Sequence, residues 1–323
     1  MLKDMLPASF SDFIVEKATE LGFDACGIST ARHLDQDAEK MEVWLEQGFQ
    51  AGMSYLEKNR EKRYNPSLLV DEAKSIISVL YNYFPDELLP SEDQYLIAKY
   101  AYGEDYHRVV KDKLHELFQI ILSHYPEASG RVFTDSAPFL DRGWAEKCGL
   151  GFIGKNTCLI HPRKGSFHFI GQLVISLPLA ETGEEVTDYC GTCSRCIDAC
   201  PTDAILAPHI LDARKCISYQ TIEYKGDFAS DIQLHNWIFG CDICQDVCPW
   251  NRFSKSNNET RFRLSDELKS FRKSDWDNLS EVDFNRIFEK SAIQRAGFLG
   301  LKRNIDKVNS QQKDFTTLPP STD

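Results

Sequence analysis

The chain has 323 residues, a length that suggests a large domain plus a module. Hydrophobic residues are 42% and aromatics 11%, ordinary globular values that exclude a disordered or fibrous chain. With 37 Lys+Arg against 49 Asp+Glu the net charge is −12. That excludes a uniformly basic nucleic-acid binder, though not a local basic face.

The segment Met1 to Phe23 mixes Lys3, Asp4, Asp12, Glu16 and Lys17 with apolar residues. It reads as an amphipathic helix, with helical spacing over Ser11 to Leu21, and not as a signal peptide. No apolar run is long enough to span a membrane, so a cytoplasmic location is expected. Strands are predicted over Phe23 to Ile28 and over Lys74 to Phe84, the latter rich in β-branched and aromatic residues. Val109 to Tyr125 places Val110, Leu114, Leu117, Phe118, Ile121 and Leu122 on one helical face. Arg131 to Thr134, Thr157 to His161 and Gly165 to Leu177 are further strands, punctuated by Gly151, Gly154, Gly165 and Gly171. The polar stretch Glu181 to Glu185 reads as a linker.

Residues 186–255 hold a cysteine cluster, and helices follow near Asp275 to Phe288 and Ala292 to Val308. Ser280 and Asp283 match a capping box. Gln311 to Asp323, with Pro319 and Pro320, reads as a loose tail. The expected class is α+β: a domain over 1–180, a cysteine-rich module over 181–255 and a helical segment over 256–323.

Eight of the eleven cysteines fall between Cys190 and Cys248. In a reducing compartment such a group points to metal binding. Cys26, Cys148 and Cys158 stand apart and are expected to be small buried hydrophobes. The run Cys190-x2-Cys193-x2-Cys196-x3-Cys200-Pro201 is the bacterial ferredoxin motif. A second, Cys241-x2-Cys244-x3-Cys248-Pro249, lacks its leading cysteine, which Cys216 can supply from upstream. Three close cysteines wrap one cube, and the cysteine before proline turns to the other. Cys190, Cys193, Cys196 and Cys248 are therefore assigned to one [4Fe–4S] cluster, and Cys216, Cys241, Cys244 and Cys200 to the second. A zinc ribbon would use paired C-x2-C knuckles and no C-x3-C-P.

Other motifs are weaker. Gly149-Leu-Gly-Phe-Ile-Gly154 has the G-x-G-x-x-G letters but follows a helix and precedes a strand, the reverse of a dinucleotide site. Asp105-Tyr-His107 begins like a cobalamin-ligating D-x-H-x-x-G motif, but Val110 stands where its glycine would be. The radical-SAM spacing C-x3-C-x2-C is missing as well, since Asp203 follows Cys196 and Cys200. Asp135 ends a short strand before a proline turn. It is either a turn carboxylate or a proton donor, the latter needing partial burial to stay protonated near neutral pH.

Several stretches together resemble the epoxyqueuosine reductases. They are Lys62-Arg-Tyr-Asn-Pro66, Tyr100-Ala-Tyr-Gly-Glu-Asp-Tyr-His107, Thr134-Asp-Ser-Ala-Pro138, the run from Ala145 to Asn156, Gly165-Ser-Phe-His-Phe-Ile-Gly171, both cysteine motifs and Arg214-Lys-Cys-Ile-Ser218. Longer members of that family carry a helical-repeat extension; this chain ends soon after Arg303-Asn304 and resembles the short form. The resemblance implies an α/β-sandwich-like cobalamin-binding domain followed by a two-[4Fe–4S] ferredoxin-like module and a helical segment. It implies reduction of epoxyqueuosine to queuosine at the wobble position of tRNA with a GUN anticodon. Electrons pass from the clusters to a base-off cobalamin, and Asp135 protonates the opening oxygen.

The matching cobalamin contacts are Arg63, Asp135, Gly154, Thr157, Ser218 and Lys225. An external low-potential electron donor is implied, no membrane is involved and a monomer is expected. Residues 251–323 carry +3 and the first 250 carry −15. The tRNA grip is therefore sought among Arg60, Lys62 and Arg63 and among Arg261, Arg263, Lys269, Arg272, Lys273, Arg295, Lys302 and Arg303. Three other readings stand beside this one. They are a corrinoid reductive dehalogenase, here without its twin-arginine signal, an electron carrier holding iron but no cobalt, and a zinc-bound RNA-binding module.

Overall fold

A four-stranded antiparallel sheet is built from β1 (Ala25–Thr30), β2 (Ser75–Asn82), β3 (Gly130–Phe133) and β4 (His168–Ile175), in the order β1-β2-β4-β3. The computed structural model describes residues 6–90, 92–184 and 186–316, with side chains as far as Gln311. Strand β2 is apolar on both faces because both are covered, as its lack of alternation anticipates. Ile77, Val79 and Tyr81 pack with Ile14 and Ala18 of α1 (Ala8–Glu20). They also meet Val110, Leu114, Leu117 and Ile121 of a long helix, Tyr106–His124, which follows α2 (Asp35–Glu46) and is α3 here. Ile76 and Leu80 pack on the other face with Trp144 and Ala145 of α4 (Asp141–Lys147). The polar Ser78 between them is satisfied, its Oγ lying 2.5 Å from Gln172 Oε1.

A second core lies apart from this sheet. Tyr95, Ile97 and Tyr102 pack with Trp237, Phe239, Trp276, Phe284 and Phe288 and with Leu301 and Ile305 of the last helix, α5 (Gly297–Thr316). Leu96–Ile97 pairs in parallel with Trp237–Phe239. The segment around 89–102, read from sequence as part of the first domain, thus shares its core with the C-terminal helices. Those helices are not an appendage.

Several expected elements differ. The strand predicted over Phe23 to Ile28 starts at Ala25, after a left-handed Gly22. Thr157 to His161 shrinks to Leu159–Ile160, a hairpin partner of Phe152–Ile153. The helix expected over Asp275 to Phe288 is two, Lys273–Asp277 and Glu281–Phe288. The second begins where the Ser280 hydroxyl accepts from Asp283 N–H at 3.1 Å, so the cap is also the break. Ala292–Arg295 is a 3₁₀ turn before α5. The tail expected from Gln311 continues α5 as far as Thr316, and residues 317–323 lie outside the described residues, as do residues 1–5 of the expected N-terminal helix and Glu185 of the expected linker. Glu181 and Thr182 of that linker dock on the edge of β1, where Ile28 N–H donates to Thr182 Oγ1 at 3.0 Å and Thr30 N–H to Glu181 Oε1 at 2.9 Å. Among the described residues no helix is long and apolar enough to cross a membrane.

Candidate functional site

Asp135 follows β3 on a loop, in the left-handed region at φ 45°. Its side chain is exposed, which corrects the expectation of partial burial; the loop projects it past the sheet edge. Tyr106, in the first turn of α3, donates from its hydroxyl to Asp135 Oδ2 at 2.7 Å. That ring is fixed by parallel stacking on Phe169 of β4, 4.2 Å between centroids. Asp105 caps α3 by accepting from His107 N–H at 2.9 Å, and the same oxygen meets His107 Nδ1 at 2.6 Å. This pairing raises the His107 pKa against the effect of its burial, and the His107 ring also faces the Asp135 backbone. His107 is thus spoken for by the loop and its own cap.

Asp141, at the start of α4, sits beneath the loop. Burial and the charge of Asp135 push its carboxyl up to about 8, and its Oδ1 has no hydrogen-bond partner. Sequence reasoning missed it, because an acid in a helix's first turn is ordinary. It missed the Glu223–Arg295 pair too, bidentate at 2.9 and 2.8 Å and 72 residues apart in the chain, whose arginine feels the Asp135 charge. Tyr55 lies among Glu223, Asp135, Arg295 and Arg63. Charged groups from both halves of the chain therefore act on the surroundings of Asp135.

The sequence-chosen contact residues divide. Arg63 is 7% exposed and donates to the Tyr55 carbonyl at 2.8 Å, yet its Nε, buried, has no partner. Asp135 and Asp141 both act on it. Thr157 holds the left-handed conformation at φ 65° and its carbonyl accepts from Arg142. Ser218 lies two residues after Cys216 and is half-buried. Gly154 packs against the chain's own Ile160: a Cβ there would lie 2.4 Å from Ile160 Cδ1. Lys225 donates to the carbonyls of Ile222, Arg295 and Ala296 at 3.2, 2.8 and 3.3 Å, so its ammonium pins the C-terminal segment.

The cysteines separate into two groups. Cys196 and Cys248 feel one another and Cys193, and Cys190 feels Cys248. Cys241 feels Cys216 and Cys200, and Cys244 feels Cys216 and Cys241. The four sulfurs of the first set line a cavity of about 140 Å3; no three ligating side chains among the described residues converge on a single-ion centre. Backbone N–H groups point at the sulfurs, Lys155 N–H to Cys190 Sγ at 3.5 Å and Ala204 N–H to Cys200 Sγ at 3.3 Å. The donor set and the N–H cradle suit a thiolate-bound cube. Of the three outlying cysteines, Cys148 is core and Cys26 half-buried, while Cys158 lies close enough to Cys244 for the two thiols to perturb one another.

Two ferredoxin-type thiol sets joined to a sheet domain define an iron–sulfur oxidoreductase. Residues 189–251 match a domain family described as 4Fe-4S double cluster binding domain. Residues 63–136 match one described as Epoxyqueuosine reductase QueG, DUF1730. The epoxyqueuosine reductase of Cellulophaga algicola is 49% identical over 298 residues, covering 92% of this chain and 97% of the relative. A solved epoxyqueuosine reductase, bound to a stem loop of tRNA-Tyr carrying epoxyqueuosine, superposes with a TM-score of 0.87 at 27% identity, over 96% of this chain and 84% of that one. The Bacillus subtilis epoxyqueuosine reductase, with its catalytic aspartate loop swung out of the active site, superposes with a TM-score of 0.87 at 27% identity, over 95% and 83%. The chain belongs to the epoxyqueuosine reductase family.

Proposed function

We propose that the protein reduces epoxyqueuosine to queuosine in tRNA with a GUN anticodon, with Asp135 as the proton donor. The observation that carries the reading is the placement of Asp135: held at positive φ on the loop after β3 and oriented by the Tyr106 hydroxyl. A non-glycine residue held at positive φ marks a loop positioned for function. The solved relative whose catalytic aspartate loop swings out supports assigning the same part to this loop.

The reaction removes the epoxide oxygen as water. Two C–O bonds break, a C=C bond forms, and two electrons and two protons are consumed. When bound, two [4Fe–4S] clusters and a base-off cobalamin supply one-electron transfer and a strongly reducing cobalt centre. Cys190, Cys193, Cys196 and Cys248 would hold one cluster, and Cys216, Cys241, Cys244 and Cys200 the other. Arg63, Asp135, Gly154, Thr157 and Ser218 would hold the cobalamin. The unpartnered buried Nε of Arg63 is the observation that fits a polar-edged cofactor at this wall. Lys225, whose ammonium the C-terminal segment already holds, leaves the contact set, while Gly154, whose backbone is left bare by the missing Cβ, stays in it. Asp135 Oδ1 hands a proton to the opening oxygen while Tyr106 keeps hold of Oδ2. The substrate base, splayed from the anticodon loop, closes over the exposed carboxyl and excludes water from it.

The test is metal analysis and visible spectra of anaerobically purified protein with and without cobalamin, then assay of epoxyqueuosine-containing tRNA by nucleoside mass spectrometry. The expected result is about eight irons per chain, retained cobalamin, and queuosine formed only with a reductant. Iron without retained cobalamin favours an electron carrier and overturns the reading.

A further inference from the structure

We propose that the face around Cys190, Cys193, Cys196 and Cys248 is the docking surface for a small acidic electron-carrier protein, held by Arg195 and Arg252 over an aromatic rim. The inference rests on the cluster-ligand reading above. Electrons must enter this protein from outside, and the cavity lined by these four cysteines borders Tyr189, Arg195, Trp250 and Arg252. Arg195 and Arg252 are exposed. Tyr189 is 52% and the adjoining Phe253 38% exposed. Large rings left in solvent beside a charge mark an interaction face.

The cations are free to serve a partner. Among the described residues neither arginine pairs with a carboxylate. Arg252 is held ready: it donates to the Pro249 carbonyl at 2.8 Å, 4.2 Å above the Phe253 ring and 5.8 Å from that of Trp250. The acids of the same loops are engaged elsewhere, Asp242 and Asp246 with Lys99. Asp188 accepts from Cys190 N–H at 2.7 Å and lies 3.3 Å from His209, and Asp198 accepts from Ser194 at 2.6 Å. On a chain of net −12, two unpaired arginines at a cluster's mouth form a local inversion of charge. Such an inversion steers and orients an acidic partner. The lining of this cavity shares no residue with the groups around Asp135, which are Arg63, Tyr55, Tyr106, Asp141, Glu223 and Arg295.

Each encounter moves one electron: the carrier is oxidised by one electron and the nearer cluster reduced by one. Two encounters, with two protons, convert one epoxide into one alkene and one water.

The experiment uses the reconstituted holoenzyme and a bacterial flavodoxin in its hydroquinone form. Cluster bleaching is followed by stopped-flow absorbance at low and high salt, and binding of oxidised flavodoxin is measured at equilibrium. Arg195→Glu/Arg252→Glu should lower the bimolecular rate at low salt about tenfold, abolish its salt dependence and weaken binding in parallel. Bleaching by dithionite and affinity for tRNA should stay as in the unaltered protein. The single Arg252→Glu variant should show an intermediate loss, which guards against a failure of Arg195→Glu to assemble its cluster. Wild-type flavodoxin kinetics in both variants overturn the inference. So does lost tRNA affinity with an unchanged flavodoxin rate, which assigns the face to RNA. If the unaltered protein holds no iron or does not bleach with dithionite, the underlying cluster reading has failed instead.

Discussion

Holding Asp135 at φ 45° costs about 1 kcal/mol or more, a cost that surrounding contacts must offset. Tyr106 and the Asp105–His107 pair are the contacts that do so. Asp135→Asn keeps the shape and removes the transferable proton, so kcat should fall about 10²- to 10⁴-fold with little change in KM for tRNA. Tyr106→Phe removes the hydrogen bond that orients Asp135 and should cost about tenfold in kcat. Nucleoside analysis of single-turnover reactions measures both, and an Asp135→Asn enzyme of full activity would remove Asp135 from the mechanism. Asp141 makes a pH prediction. Its folded value, about 8, stands above the ordinary 3.8, so the folded state keeps a proton that the unfolded chain releases. That contribution is complete below pH 3.8 and is lost as pH rises towards 8. Asp141→Asn, which does not titrate, should therefore gain on the wild type across that window. A Tm advantage of about 2–4 °C at pH 8, shrinking towards pH 5, is the expected scan result, and a pH-independent difference would contradict it.

At the scale of elements, what was legible followed local periodicity and spacing. Strand β2 and helix α3 announce themselves through apolar residues whose partners lie on both faces or one face. The two cysteine sets are legible because ferredoxin geometry is written into x2 and x3 spacings. Cys216 stands apart from its motif and is assigned to it only because the motif lacks a leading cysteine. The pairing of Leu96–Ile97 with Trp237–Phe239 was not legible, since two short segments some 140 residues apart carry no mutual mark. Nor was Lys99, which looks like any surface lysine. It is 9% exposed and grips the second cysteine loop, 2.6 Å from Asp246 Oδ1 and 3.4 Å from Asp242 Oδ2. Its backbone N–H also donates to Asp242 at 2.7 Å. Lys99→Met leaves Asp242 buried beside Cys241 without its cation, a loss of about 3–5 kcal/mol for a broken buried pair. Denaturant titration should show that loss, and iron analysis should show the Cys216, Cys241, Cys244 and Cys200 cluster depleted first. Full iron occupancy would mean that the loop holds its shape without the lysine.

Over the whole molecule, the basic residues of the C-terminal third are divided between fold and surface, and charge counting cannot tell which is which. Arg261 is bidentate with Glu259 and lies 3.6 Å from Asp112, and Lys302 donates to the Asp277 carbonyl. Arg303 donates to the carbonyls of Tyr224, Gly226 and Gln220 at 2.7, 2.9 and 3.0 Å and stacks 4.3 Å over Phe228. Beside it Asn304 donates to Thr221 and Ile238 at 2.8 Å. This pair ties α5 to the strand and helix that follow Cys216, so the C-terminal helices brace the cysteine module. Arg261, Lys302 and Arg303 of the expected tRNA grip are thus already engaged within the fold, whereas Arg263 is exposed and available to phosphate. The consequence separates stability from binding. Arg303→Ala strands three carbonyls and should lower stability by about 2 kcal/mol, a Tm loss of about 4–8 °C. The slope of log Kd against log salt for tRNA should stay unchanged, because no phosphate contact has gone. Arg263→Ala should do the reverse: an unaltered Tm, and a slope reduced by about one phosphate contact. A salt slope that falls in Arg303→Ala at unchanged Tm would return Arg303 to the RNA interface and place the brace elsewhere.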